Sequence, residues 1–198
     1  MCCFQSIYIG SDHGGFELKE DIVRYLRGEM SSRISNQTID KKDKEVPHFH
    51  IDKDTVGDKS IVSTSYGATK SSKDTFNAVC TVYDIGTNTS ESCDYPDFAS
   101  VMSQKVQNNV TSCGILICRS GIGMSISVNR YKGIRAALCT RLDQVELSRK
   151  HNNANVLCLE GRNIDTEFSL KLVKMFLETS FSNEARHVQR IKMLDLEQ

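Results

Sequence analysis

Along most of its 198 residues this chain alternates short apolar runs with segments whose apolar residues recur at helical spacing. That alternation limits the folds open to it more than any other feature. A run at 6–10 (SIYIG) reads as a buried strand, and 16–30 as a helix with Phe16, Ile22, Val23 and Leu26 near one face. Further strands are predicted at 78–86 (AVCTVYDIG), 114–118 (GILIC), 133–139 (GIRAALC) and 155–161 (NVLCLEG). Between them Phe98, Val101, Met102, Val106 and Val110 fall at helical intervals, and helices are predicted from about 122, over 141–151 and over 166–178. Five strands separated by helices predict an α/β fold with a five-stranded parallel sheet covered on both faces. In such sheets ligands bind beyond the carboxyl ends of the strands. The first candidates for a site are therefore the strand-end residues: Asp12 and His13, Gly86 and Thr87, Cys118 to Gly123, and Arg162.

Composition removes several function classes. With 39% hydrophobic and 25% charged residues the chain can build one substantial core, and a single domain over 1–198 is expected. Lys plus Arg equals Asp plus Glu at 25 each, and no basic stripe is interleaved with aromatics, which argues against nucleic acid as a partner. No apolar run approaches the roughly 20 residues of a membrane span. The opening MCCFQSIYIGSDHGG lacks a basic region followed by an apolar one, so a soluble, cytoplasmic protein with no membrane partner is expected. Eight cysteines (Cys2, Cys3, Cys80, Cys93, Cys113, Cys118, Cys139 and Cys158) include no Cys-x-x-Cys pair, and several sit in apolar runs, the pattern of buried reduced thiols. The close pair His48 and His50 has no Cys nearby, so no metal site is expected.

One stretch departs from the alternation. Between about 31 and 78 the chain is rich in Ser, Thr, Lys and Asp, and only about a quarter of its residues are apolar. Such a composition offers little apolar surface to offset ordering entropy, so 31–78 reads as a polar insertion in the crossover between the first two strands of the sheet. Within it HFHID and SIVSTSY alternate weakly enough to pair as an edge hairpin or to stay disordered.

The run ICRSGIGMSISVNR at 117–130 ends a strand on a thiol and turns through two glycines into a helix. Amides at a helix start favour anions, and the same environment lowers a thiol's pKa. Glycines at such a turn equally serve backbone geometry alone. Three specific motifs do not fit: the third glycine of a dinucleotide fingerprint is missing, Gly-Lys-Ser/Thr is absent, and Met124 stands where a cysteine phosphatase loop has Arg. Elsewhere Asp12-His13-Gly14-Gly15 follows the first strand, His151-Asn152 ends a helix, and Arg186 and Arg190 are four apart on the last helix, hence on one face. Each piece has a plainer reading as a cap or a solvated group. What singles out Asp12–Gly15, His151–Asn152 and Arg162 is an expected place at or just before the ligand-binding edge.

SDHGGFELK at 11–19, DYPDFA at 94–99, ICRSGIGMSISVNR, GIRAALC, LSRKHNNANVL at 147–157, GR at 161–162 and ARHVQRI at 185–191 together resemble the ribose-5-phosphate isomerase type B group, which includes galactose-6-phosphate isomerase subunits. The motifs come in the group's order and cover nearly the whole chain outside 31–78. The resemblance implies a Rossmann-like three-layer α/β/α sandwich, a phosphorylated sugar as substrate, a homodimer with shared active sites at the subunit interface, and no cofactor. It also implies roles. Cys118 resembles the base that moves a proton between C1 and C2, and Ser120 with the amides of Gly121, Ile122 and Gly123 resembles the anion hole for the enediolate. Asp12 and His13 match a substrate-contacting pair, and Tyr95 a residue lining the sugar site. His151, with Asn152 beside it, resembles the residue that opens the furanose ring. Arg162, Arg186 and Arg190 resemble a phosphate clamp that His13 assists. Two positions depart from the group: Arg119 stands where Gly is usual and Asn153 where Asp is common.

The residues themselves fit this chemistry. Turning an aldose into a ketose needs a base near the C2 proton, donors aimed at the oxygen that becomes negative, and an anchor for the phosphate. No hydride leaves the substrate, so neither nicotinamide nor metal is required. Two other readings stay open at this stage: a catalytically silent module that binds a sugar phosphate or nucleotide, and an isomerase for a hexose 6-phosphate.

Overall fold

The computed structural model describes residues 3–28, 61–65, 79–107 and 109–196. Six strands and six helices follow in the order β1 (Ser6–Ser11), α1 (Phe16–Leu26), β2 (Ile61–Ser65), β3 (Val79–Asp84), α2 (Tyr95–Gln107), β4 (Ser112–Cys118), α3 (Ile122–Val128), β5 (Ala136–Leu138), α4 (Leu142–Asn152), β6 (Val156–Glu160), α5 (Thr166–Glu178) and α6 (Ala185–Leu196). They form one sheet in the order β2-β3-β1-β4-β6-β5. The five expected strands are all parallel, and β2 is added antiparallel on the outer edge of β3. Thus SIVSTSY does supply an edge strand, with β3 as its partner. HFHID and most of the 31–78 segment lie outside the described residues.

The strands read as unbroken apolar runs because both faces of the sheet are covered. All seven residues of β4 are buried. On one face Ile7, Ile9, Ile115, Ile117, Leu157 and Leu159 pack against Ile22 of α1, Val145 of α4, and Leu172 and Phe176 of α5. On the other, Leu116, Cys118, Val156 and Cys158 meet Ala99 and Met102 of α2 and Met124 and Val128 of α3. The period of two along each strand divides its side chains between these cores. The result is the three-layer, Rossmann-like α/β/α arrangement.

Three element boundaries differ from expectation, each for a local reason. α1 stops at Leu26, where the amides of Arg27 and Gly28 turn back to Val23 and Tyr25 and Gly28 takes a φ of 76°. α2 ends at Gln107, and Val110 lies beyond it with 97% of its surface exposed. The Asn109 side chain accepts from the Thr111 amide at 3.0 Å and bends the chain into β4. β5 shrinks to three residues because Arg135 gives its amide to the Asn155 side chain at 2.8 Å.

Chain order and sheet order together locate a crevice. From β1 the chain reaches β3 on one side, and β4 then falls on the other side of β1. Such a reversal opens a cleft beyond the carboxyl ends of the two central strands, here β1 and β4. The Asp12 amide donates to the Ile117 carbonyl at 3.2 Å, so the residue after β1 lies beside the end of β4.

A buried cation secures the floor of this region. The Lys19 side chain is fully buried on α1, with Nζ 2.5 Å from Asp84 Oδ2 and 2.6 Å from Glu20 Oε1. Asp84 Oδ1 accepts from the Gly86 amide at 3.0 Å, and Ser11 exchanges backbone bonds with Gly86 and Thr87 at 2.7 and 2.9 Å. Removing one partner of a buried pair strands the other, so Lys19→Met is expected to destabilise the fold by about 3 kcal/mol. A urea midpoint unchanged from wild type would contradict this.

Candidate active site

Asp12 is 6% exposed, and its Oδ1 accepts from the Gly14 amide at 2.9 Å, capping the short 3-10 turn His13–Gly15. Burial raises its carboxyl above the ordinary range, against the opposing pull of the Gly14 amide. His13 is exposed, and its Nδ1 accepts from the Cys93 amide at 3.2 Å. The same nitrogen lies 3.3 Å from the Cys93 carbonyl, so both backbone groups of Cys93 hold the ring in place.

Cys118 closes β4 and is 4% exposed. Its carbonyl accepts from Gly161 at 2.9 Å and from Gly121 at 3.3 Å, which fastens the end of β6 and the following turn to the thiol's own backbone. Gly121 bends the chain with a φ of 71°. The amide of Gly121 is thus committed to Cys118, whereas that of Ile122 reaches only the Ser120 hydroxyl at 3.4 Å. The Gly123 amide has no hydrogen bond among the described residues. Any anion here would meet Ser120 Oγ and the amides of Ile122 and Gly123; Gly121 supplies the bend. A Cβ on Gly123 would stand 2.9 Å from the Tyr95 ring, so only glycine lets that ring lie over the first turn of α3.

Arg119 is exposed and has no positive φ, so the usual glycine is not needed for backbone freedom. Asn153 does adopt the left-handed region, with φ 46°, at the end of α4, and its Oδ1 accepts from Arg149 at 3.0 Å. Arg162 follows Gly161 just past β6 and is exposed. Asp12, His13, Tyr95, Cys118, Ser120, Ile122, Gly123 and Arg162 therefore gather at the carboxyl edge of the sheet.

His151 and Asn152 do not join them. α4 runs from the carboxyl end of β5 to the amino end of β6, so its last residues reach the opposite edge, contrary to the expectation from sequence. With β4 seven residues long, the two edges are roughly 20 Å apart at about 3.3 Å per residue. At that second edge the His151 ring lies 4.3 Å from His187 of α6, and Arg186 and Arg190 are exposed on the same helix. Arg186 Nε pairs with Glu184 at 2.9 Å; Arg190 has no hydrogen bond or ion pair among the described residues. Within one chain the candidate residues thus form two clusters. His187 and the Lys19–Asp84 pair were not singled out from sequence. His187 does stand between the two arginines in ARHVQRI, turned about 100° from Arg186 and about 60° from Arg190 around the helix.

Among the described residues no group of three His, Cys, Asp or Glu side chains could hold a metal ion, and no helix is long and apolar enough to cross a membrane. All seven described cysteines are free.

Fold and crevice define an α/β protein of the Rossmann-like class, and comparison with known proteins narrows it. Residues 64–194 match the family described as Ribose/Galactose Isomerase. A ribose 5-phosphate isomerase structure from Thermotoga maritima shares 36% identity at a TM-score of 0.68, covering 96% of this chain and 97% of its own. The type B enzyme of Trypanosoma brucei superposes at 0.70 with 30% identity, covering 98% and 99%. A Rickettsia bellii protein, 30% identical over 94% of this chain and 96% of its own length, carries only the general name of a sugar phosphate isomerase. The chain belongs to the ribose/galactose isomerase family.

Proposed function

We propose that this isomerase interconverts ribose 5-phosphate and ribulose 5-phosphate in the cytoplasm, by proton transfer through an enediolate. The observation that carries the reading is the switch-point crevice, where the Cys118 thiol ends β4 beside Ser120 and the uncommitted Gly123 amide. In the reaction Cys118 takes the C2 proton of the open-chain aldose and returns it to C1. The oxygen that becomes negative is met by Ser120 and the amides of Ile122 and Gly123. Asp12, whose carboxyl pKa burial raises, carries the proton that leaves O2 to O1, so that C2 becomes the carbonyl and O1 the hydroxyl. Tyr95 bounds the sugar, and His13 and Arg162 meet the phosphate.

The two clusters lead to the second part of the proposal. Ring opening and a full phosphate clamp call for His151, Asn152, Arg186 and Arg190, which lie about one strand length from Cys118 of the same chain. A homodimer that sets the carboxyl edge of one subunit against the amino edge of the other brings the partner's His151 and the partner's Arg190 to that crevice. Exposed Ile122 and Ile126 on α3 and Val101 on α2 give such a dimer apolar surface to bury.

Incubation with ribose 5-phosphate, following ketose formation, tests the reading. Turnover of galactose 6-phosphate with none of ribose 5-phosphate would favour a hexose substrate, which the family's own description admits. Binding without turnover of either would favour the silent module. Because a charge-assisted hydrogen bond contributes about 1.5 to 3 kcal/mol, Arg190→Ala is expected to lower kcat/KM roughly ten- to a hundredfold. The loss should shrink for free ribose. An equal loss on both sugars would make Arg190 a support of the fold.

A further inference from the structure

α6 presents its chemistry on two faces. Arg186 and Arg190 are exposed, but His187 between them is only 3% exposed and turns toward α4. Its ring centroid lies 4.3 Å from that of His151, with the ring planes tilted by 38°. Behind it, Ser182 Oγ is 2.9 Å from His187 Nδ1, and the Ser182 amide donates to the Lys150 carbonyl at 3.1 Å. The turn that holds His187 is therefore tied to the residue preceding His151. His151 itself is half-buried at the end of α4, and its ring makes no hydrogen bond among the described residues. Its ring contact is with His187.

We propose that His187 is a positioning residue that fixes the ring plane of His151 for opening the sugar ring. This rests on the ring-opening role given to His151 above. Opening a furanose moves one proton away from O1 and one onto O4, so the imidazole must present its nitrogens to two oxygens in turn. A side chain free about two torsions spends most of its time in other rotamers. A ring held from behind by a second ring keeps one plane. Burial, and then the neighbouring His151, lower the pKa of His187 from its ordinary value. Near neutrality His151 therefore faces an uncharged ring, which does not oppose the proton it must carry.

Two substitutions separate the ring from its hydrogen bond. His187→Phe keeps a ring against His151 and loses the bond to Ser182, whereas His187→Asn keeps a group able to bond Ser182 and loses the ring. With ribose 5-phosphate the Asn variant is expected to lose roughly tenfold in kcat with KM within about twofold, and the Phe variant to stay within about threefold in both. Wild-type kcat in His187→Asn would overturn the proposal, as would a rise in KM alone or equal losses in the two variants. If the Asn variant does not fold, the wild-type protein still decides. Its His151 and His187 ring protons should show a mutual nuclear Overhauser contact, and its absence would sink the idea. Wild-type protein without isomerase activity would remove the ring-opening reading while leaving that contact in place.

Discussion

Cys118→Ser is expected to lower ribose 5-phosphate turnover by roughly 10² to 10⁴, the usual loss when a general base is removed. Serine has the shape of cysteine, and the site is nearly closed, with Cys118 4% exposed, so the carbonyl bonds to Gly121 and Gly161 should survive the change. What is lost is acidity. An aliphatic hydroxyl is far too weakly acidic to supply an anionic base near neutrality, whereas thiols as a class ionise far more readily. KM should stay within about twofold, because the phosphate and enediolate contacts lie elsewhere. Alkylation gives an independent readout. Burial pushes the Cys139 thiol up to about 11 and that of Cys158 higher still, so these neighbours stay protonated. Iodoacetamide should inactivate the enzyme through Cys118, and ribose 5-phosphate should slow that reaction. Near-normal turnover by Cys118→Ser would end the assignment, since the C2-to-C1 proton transfer is given to that thiol alone.

Mixing two dead proteins is expected to restore activity. Each proposed site takes Cys118 from one subunit and His151 from the other, so Cys118→Ser and His151→Ala each spoil both sites of their homodimers. In a mixed dimer the subunit carrying His151→Ala contributes an intact Cys118, and its partner contributes an intact His151. One of the two sites is then wild type throughout. Unfolded together and refolded in equal amounts, half the dimers are mixed and half their sites are complete, so about a quarter of wild-type activity should return. Recovery should be absent when the proteins are mixed without subunit exchange. No recovery after exchange, with a mixed dimer demonstrated by mass, would place both residues in one subunit's site and overturn the shared arrangement.

The parallel sheet was legible because strands buried on both faces are apolar at successive positions, as in GILIC of β4. The carboxyl-edge cluster was legible for a related reason: residues just after buried strands sit where open parallel sheets bind ligands. The place of His151 was misjudged although chain direction contains it. A helix between two parallel strands returns the chain to their starting edge, so the end of α4 lies away from the end of β4. Lys19 was hidden because a lysine in an amphipathic helix reads as solvated, and its partner Asp84 is 65 residues away. β2 was only weakly marked, since a polar edge strand is specified by backbone pairing more than by side-chain pattern. The commitment of the Gly121 amide to Cys118 could not be read from letters at all, because it follows from the turn geometry.

The antiparallel β2 bears on how this sheet avoids recruiting stray chains. A parallel sheet ending on β3 would expose a row of backbone donors and acceptors able to template another strand. Residues Ile61–Ser65 occupy that row, pairing from Ile61 opposite Tyr83 to Ser65 opposite Val79. The opposite margin is the three-residue β5, too short to offer much of a template. The border of the sheet is thereby moved from the apolar six-residue β3 to the five-residue IVSTS strand, and the other border is kept short. A shortened chain that keeps 61–65 is therefore expected to keep the backbone of β3 paired, while one that loses those residues is expected to leave β3 open to self-association.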